Sequence, residues 1–304
     1  MLTGSFPINF RSENILIVPL LPSRRIEALD FCRPYEAEST EVMARLLEST
    51  ENVYAVEYSG GLCGLLYLRN KRSVFYVLPF AAKREEREKK LAALFVKSFS
   101  CFIKDFNLFA VTGILSGAEL IIDAVSKTDI SKRKSSRSEY YLMQAGTYRR
   151  ENLTNKSGFC IRKATAADTD KIFPLEKAFQ WADVIPEGYT LSDEKIREKL
   201  AKTLSKENNK NYVLEAGGEI LSKASINLTG ENVEMISSVY TKESKRRLGY
   251  GSTIVNHLVR LICTRGKKAV LIARKTNSAA VNAYKKIGFN ITGDFVICYW
   301  FEEK

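Results

Sequence analysis

Arg246-Arg247-Leu248-Gly249-Tyr250-Gly251, with Ser252 behind it, decides how the second half of this sequence folds. The residues before it, ending Val239-Tyr240-Thr241, read as an extended segment. Those after it place apolar side chains at Ile254, Val255, Leu258, Leu261 and Ile262, the spacing of one buried helical stripe, and the pattern stops at Gly266. The glycines therefore stand where a strand hands over to a helix. There the unpaired N–H groups of the first turn and the positive end of the helix dipole converge, which makes a ready site for phosphate. Glycine at 249 and 251 removes the Cβ that would hold a diphosphate off the backbone and permits positive φ, and Lys245, Arg246 and Arg247 add cationic charge. A plain turn between strand and helix would use the same glycines, so the motif is read with its surroundings.

Working outward, residues 211–216, 219–228 and 232–240 read as three strands. They are joined by Gly217-Gly218 and Thr229-Gly230-Glu231, connections short and glycine-bearing as antiparallel hairpins require. Upstream lie a short strand over 159–163, a helix opened by Thr165 or Asp168, and a polar helix over 192–205. Beyond the central helix, Ala269-Val-Leu-Ile-Ala is continuously apolar, as suits a strand covered on both faces. The last helix spans 277–287, with Asn277 to cap it and Gly288 to take the left-handed position past its end, so that Phe289 folds back onto it. On this evidence alone Tyr284 is a core side chain of that helix. Residues 294–301 close the domain as a strand, and the order predicts an α/β domain (α+β mixed sheet).

Two motifs in this order and spacing resemble the GNAT superfamily of N-acetyltransferases. The phosphate-loop signature of that family, Gln/Arg-x-x-Gly-x-Gly/Ala, is matched by Arg246 to Gly251. Its later signature, Asn followed by a helix ending Tyr-x-x-x-Gly-Phe, is matched by Asn277, Tyr284, Gly288 and Phe289. The resemblance covers residues 159–304. It implies the GNAT acyl-CoA N-acyltransferase fold, acetyl-CoA (coenzyme A) as cofactor, and transfer of the acetyl group by direct attack of a primary amine on a small molecule or peptide.

Carried over by position, the resemblance has Leu248, Gly249, Tyr250, Gly251 and Ser252, with Arg246 and Arg247, hold the cofactor diphosphate. Val239, Tyr240 and Thr241 would pair with the pantetheine arm, and Asn277 would touch the same arm. Tyr284 would protonate the departing thiolate, a task that suits a phenol of high ordinary pKa. A preset N–H on a splayed strand would meet the oxyanion. In the histone-acetylating branch a glutamate stands on the strand before the loop; counting back from Arg246 reaches Met235, with Glu234 beside it. Strict alternation turns Glu234 to the opposite face, so it is a candidate base only where a bulge restores it. Asp183 and Glu187, in the stretch Trp181-Ala-Asp-Val-Ile-Pro-Glu, are candidates to face a cationic amine. The sequence departs from the family at Glu243, where proline is frequent, and at Leu248, where glycine or a basic residue is usual; neither change removes an N–H donor. Two further readings stay open: a non-catalytic acyl-CoA-binding regulator, and a tandem transferase acting on an RNA-linked or ribosomal substrate.

The first half, 1–150, lays out in similar order. Strands fall over 53–58, 64–68 and 74–78, then a helix over 85–102, a strand over 108–115, a helix over 117–127 and a strand over 139–144. This predicts a degenerate GNAT-like domain in tandem with the second, at 157–304. Where the second half has its glycine turn the first has Phe80-Ala-Ala-Lys-Arg-Glu, and so no cofactor loop. The polar stretch 144–158 is the candidate linker.

Composition sets the outer bounds. At 304 residues and 45% hydrophobic the chain is long enough for two cores. A single histidine, His257, and six scattered cysteines leave a histidine-based metal site or a Ser-His or Cys-His relay without material. The net charge of +12 favours capture of anions, coenzyme A among them. The densest basic run, 131–137, lacks the interleaved aromatics that stack on bases, so it reads as a solvated loop rather than a nucleic-acid contact. The apolar run over 91–115 is broken by Lys97, Lys104 and Asp105, and Met1-Leu-Thr-Gly-Ser-Phe-Pro carries no signal-peptide pattern. No membrane association and a cytoplasmic location are the expectations that follow.

Overall fold

The computed structural model describes residues 14–146 and 158–302. In the first half β1 (Ile15–Pro19), α1 (Arg25–Cys32) and α2 (Thr40–Glu48) precede the strands β2 (Val53–Tyr58), β3 (Gly61–Arg69) and β4 (Ser73–Val77). Then come α3 (Glu86–Phe102), β5 (Ala110–Ile114), α4 (Leu115–Ser126) and β6 (Lys134–Ala145). The second half repeats that order element for element: β7 (Cys160–Lys163), α5 (Thr169–Phe179), α6 (Asp193–Leu204), β8 (Asn211–Ala216), β9 (Glu219–Thr229) and β10 (Val233–Thr241). It ends with α7 (Tyr250–Thr264), β11 (Lys268–Arg274), α8 (Ser278–Lys286) and β12 (Asn290–Phe301). Mixed α/β architecture and tandem topology are as the sequence predicted; β1, α1 and α2 had not been read from it.

The sheet corrects one expectation. All twelve strands join in the order β1-β2-β3-β4-β5-β12-β6-β11-β10-β9-β8-β7. Each half is thus completed by the last strand of the other. β6 runs antiparallel to β11, with Ala145 opposite Ala269 and Tyr140 opposite Arg274. β12 runs antiparallel to β5, with Phe295 opposite Ile114 and Tyr299 opposite Ala110. The two exchanged strands pair with each other along the centre, from Asn290 opposite Gln144 to Phe301 opposite Lys134. Residues 139–144 therefore do not close the first half, nor 294–301 the second. Alternation of apolar side chains says that a strand is covered and leaves open which neighbour it pairs with.

Packing follows the exchange. Val296, Cys298 and Trp300 of β12 lie in the core beneath α3 and α4, while Met143 and Ala145 of β6 lie in the core with α7 and Phe289. A second tie is Glu36, buried between the halves, whose carboxylate accepts from the backbone N–H of Asn232 at 2.7 Å and of Val233 at 3.1 Å. Its Oε1 comes so close to Gly230 that a Cβ there would collide with it.

Two smaller expectations change as well. Gln144 and Ala145 belong to β6, and residues 147–157 of the candidate linker lie outside the described residues. The basic run over 131–137 is no free loop: Lys134 opens β6, Lys132 pairs with Asp129 at 2.6 Å, and Arg133 donates to Asn107 Oδ1 at 2.8 Å. Among the described residues no helix is long and apolar enough to cross a membrane.

Candidate active site

The site begins where β10 and β11 part. They pair in parallel only from Val233 opposite Lys268 to Met235 opposite Val270. Past that point β10 stays on β9 but slips register, so that Ser238 and Val239 together face the single residue between Lys223 and Ser225. This is a β-bulge, and Ser238 takes a φ of +54°. Under it lies Lys223, a buried lysine of β9 whose ammonium donates to Ser238 O at 3.0 Å, pairs with Glu176 Oε2 at 2.8 Å, and sits 4.5 Å from the centre of the Phe179 ring. Burial holds the Lys223 ammonium below its ordinary pKa, and Glu176 pulls it back up. Gln180 Nε2 donates to the other oxygen of Glu176 at 2.6 Å.

Lys223 and Glu176 belong to none of the motifs above; a lysine inside the apolar run Ile220-Leu-Ser-Lys-Ala-Ser-Ile is the one sequence signal of the pair. Removing one partner of a buried ion pair strands the other. We expect Glu176→Leu to lower unfolding stability by about 3–5 kcal/mol, and Glu176→Leu with Lys223→Met to recover most of it. Urea unfolding of the two variants checks this; equal loss in both would mean that the pair is not what holds the bulge.

At the end of β10 the chain makes a short 3₁₀ turn, Glu243–Lys245, and enters α7. Arg246 lies over the Tyr240 ring at 5.1 Å and pairs with Glu243 at 3.5 Å. Tyr240 is itself buried, so only its backbone can face a ligand. Arg247 and Gly249 both have positive φ, +61° and +84°. Gly249 is the N-cap of α7, no side chain among the described residues caps the helix, and its first turn has no acidic residue. The ladder of α7 begins with Thr253 N–H to Gly249 O at 2.9 Å, so Gly251 and Ser252 carry N–H groups ahead of it. A Cβ at Gly251 would stand 3.1 Å from Thr241 Oγ1, which shows how closely the strand end and the helix start approach.

The same places in the first half are filled. β4 and β5 pair only from Ser73 to Val74 and then part, but the gap holds the buried ring of Tyr76, whose hydroxyl donates to Ile114 O at 2.7 Å. A Cβ on Gly113 would lie 2.5 Å from that ring. The turn before α3 buries Phe80 and Ala81. The N-terminus of α3 is closed by its own carboxylates: Glu88 accepts from the N–H groups of Arg84 and Glu85 at 2.7 and 3.2 Å, and Glu85 caps in return.

Beyond β11, α8 opens at its N-cap Asn277, whose Oδ1 accepts from Ala280 N–H at 3.1 Å. It ends in the glycine motif the sequence predicted. Gly288 has a φ of +102°, Phe289 N–H reaches Tyr284 O at 3.0 Å, and the buried Phe289 ring stands 6.0 Å from that of Tyr284. Burial and the negative charge of Asp183 hold the Tyr284 phenol far above the usual tyrosine range. Asp183 belongs to a π-helical turn, Gln180–Val184, and pairs with Arg274 at 3.4 Å. Glu187 is exposed.

Glu234 is placed elsewhere. Its carboxylate is buried, bonds to Lys210 Nζ at 2.8 Å and Thr229 Oγ1 at 3.2 Å, and forms an ion pair with Arg265. These cations hold its pKa below the ordinary value although burial opposes them. Arg265 follows the last residue of α7, so Glu234 stands one helix length, about 20 Å, from the Gly249 turn. The bulge at Ser238 lies downstream of Glu234 and does not turn it. A paired, acid-shifted carboxylate at that distance has the build of a structural anchor.

Residues 221–300 match the model of the FR47-like protein family. No curated protein matches the chain. Among solved structures, the chain is similar to a Drosophila protein at 14% identity, with 95% of this chain and 99% of that one covered and a TM-score of 0.61. It is also similar to a GNAT-family acetyltransferase from Colwellia psychrerythraea at 12% identity, covering 95% and 100%, with a TM-score of 0.53. A third likeness is to the glucosamine N-acetyltransferase region of a fungal multi-domain β-N-acetylglucosaminidase, at 10% identity over 96% of this chain and 38% of that one, with a TM-score of 0.53. The chain has the GNAT acetyltransferase fold, and residues 221–300 carry the FR47-like sequence pattern.

Proposed function

We propose that the chain is an acetyl-CoA-dependent N-acetyltransferase acting by direct attack of a primary amine borne on a small molecule or peptide. The observation that carries this reading is a contrast within one molecule. The helix after the parted strands starts on a cationic glycine turn without an acidic residue in the second half and is capped by glutamates in the first. Only the former suits a diphosphate.

Coenzyme A held there would supply an acetyl thioester in the gap between β10 and β11. The N–H groups from Leu248 to Ser252, with the side chains of Arg246 and Arg247, would bind its diphosphate. The backbone of Val239, Tyr240 and Thr241, left by β11, would pair with the pantetheine arm. Asn277 has its side-chain oxygen committed to the helix cap, which leaves the amide nitrogen to donate to that arm. The extra residue of the bulge stands outside the β9 ladder, and its N–H would meet charge growing on the carbonyl oxygen. Lys223, bonded to Ser238 O, fixes that N–H in place. Tyr284, kept protonated by its surroundings, would give its proton to the leaving sulfur. Glu234 has no part in this scheme.

The test is thiol release from acetyl-CoA with tyramine, spermidine, glucosamine, glycinamide and lysine peptides as acceptors. Release that depends on both acetyl-CoA and one of the amines is expected, together with calorimetric binding of coenzyme A. A protein that neither binds coenzyme A nor releases thiol would overturn the reading.

A further inference from the structure

We infer that Asp183 is the residue that receives the acceptor amine and takes its proton, an assignment that rests on the acetyltransferase reading above.

The π-helical turn bearing Asp183 is fixed through its backbone. Asp183 O accepts from Tyr140 Oη and from Arg274 Nη2, both at 3.3 Å, and Val184 O accepts from Tyr299 Oη at 3.2 Å. Tyr140 is on β6, Arg274 on β11 and Tyr299 on β12, so the three central strands hold the turn. The carboxylate is left out of that clamp. It is about one-third exposed at 32%, accepts no hydrogen bond among the described residues, and has Arg274 Nε at 3.4 Å as its ion partner. That Nε is itself buried with no hydrogen-bond acceptor among the described residues. An ionised carboxylate has room for about four donors. A carboxylate and a guanidinium nitrogen side by side, both short of partners and partly buried, form the kind of unmet polar pair that functional sites keep.

Asp183 also stands at the meeting point of the proposed machinery. The charges that act on it come from Arg274 on β11, Arg246 on the glycine turn and Lys223 under the bulge. Its own charge in turn acts on Tyr284 of α8. Burial outweighs the three cations and leaves the carboxyl above its ordinary pKa, in the direction a general base requires. Binding of a diphosphate would turn the Arg246 charge toward phosphate and weaken its pull on Asp183. The base would then strengthen as the cofactor arrives.

The proton balance is simple. An amine acceptor enters as R–NH₃⁺ and gives one proton to the Asp183 carboxylate, leaving R–NH₂ with a free lone pair and a carboxylic acid. The acid returns that proton to solvent, so each amide formed releases one proton overall. The second proton lost by the nitrogen replaces the one that Tyr284 gives to sulfur.

The experiment compares wild type, Asp183→Asn and Asp183→Glu with the fastest amine of the thiol-release panel, from pH 6 to pH 10. Melting and calorimetric titration with coenzyme A serve as controls. Asp183→Asn should bind coenzyme A as wild type does and lose about a hundredfold in kcat/KM for the amine at pH 7. That deficit should shrink as pH rises, because solution then supplies neutral amine. Asp183→Glu should restore part of the rate and the wild-type profile. An Asp183→Asn protein with unchanged rate and profile, beside an active wild type, overturns the inference alone. A deficit equal at every pH overturns it too, because that is the behaviour of a purely structural residue. A wild type that turns over none of the amines removes the transferase reading and this inference with it.

Discussion

Gly249→Glu is expected to weaken coenzyme A binding on the order of a hundredfold or more while the protein stays folded. Among the described residues nothing lies within 4 Å of a Cβ built on Gly249, so the new side chain enters open space at the start of α7 and not the core. There its carboxylate would compete for the N–H groups that a diphosphate needs, as Glu85 and Glu88 do at the start of α3. The positive φ of +84° adds a strain of about 1–2 kcal/mol, a fall of several degrees in melting temperature at most. Calorimetric titration with coenzyme A, run beside a melting curve, checks both parts. Wild-type affinity in a folded variant would show that the diphosphate binds elsewhere.

Tyr284→Phe should lower turnover by about one to three decades with little change in coenzyme A affinity, in keeping with the loss of a general acid. The substitution keeps the ring that faces Phe289 and the core with α7, so stability should be nearly unchanged. The effect should fall on kcat at saturating amine and acetyl-CoA. Unchanged turnover would make Tyr284 a packing residue and pass the leaving-group proton to water.

Much of the second half was legible in the sequence because each element carries its own punctuation. Gly217-Gly218, Gly249, Gly266 and Gly288 all take positive φ where a turn, a cap or a helix end had been read. The Asn277 cap and the fold-back of Phe289 are local consequences of the same kind. What could not be read depends on partners far along the chain. The exchange of β6 and β12 is invisible to alternation, which fixes a covered face and not a neighbour. The ion pairs of Glu234 were hidden for a related reason: Lys210 and Arg265, 24 and 31 residues away, reach its carboxylate only once β9, β10 and α7 have packed. α1 was missed because its apolar positions give hardly any stripe, although Ala28 and Cys32 are fully buried. The π-helical turn that carries Asp183 has no sequence punctuation until Pro186.

The crossing of β6 and β12 makes the two halves hostages to each other. Truncating the chain at Asp294 would strip Val296, Cys298 and Trp300 from beneath α3 and α4, so the injury would land first on the half that lacks the glycine turn. Severing the chain after Gly146 and discarding the front piece would instead leave β11 without the neighbour that covers it along six residues, and the second half would lose a wall it does not encode. The second half cannot simply be lifted out of this protein, because one strand of its sheet, β6, is written in the first.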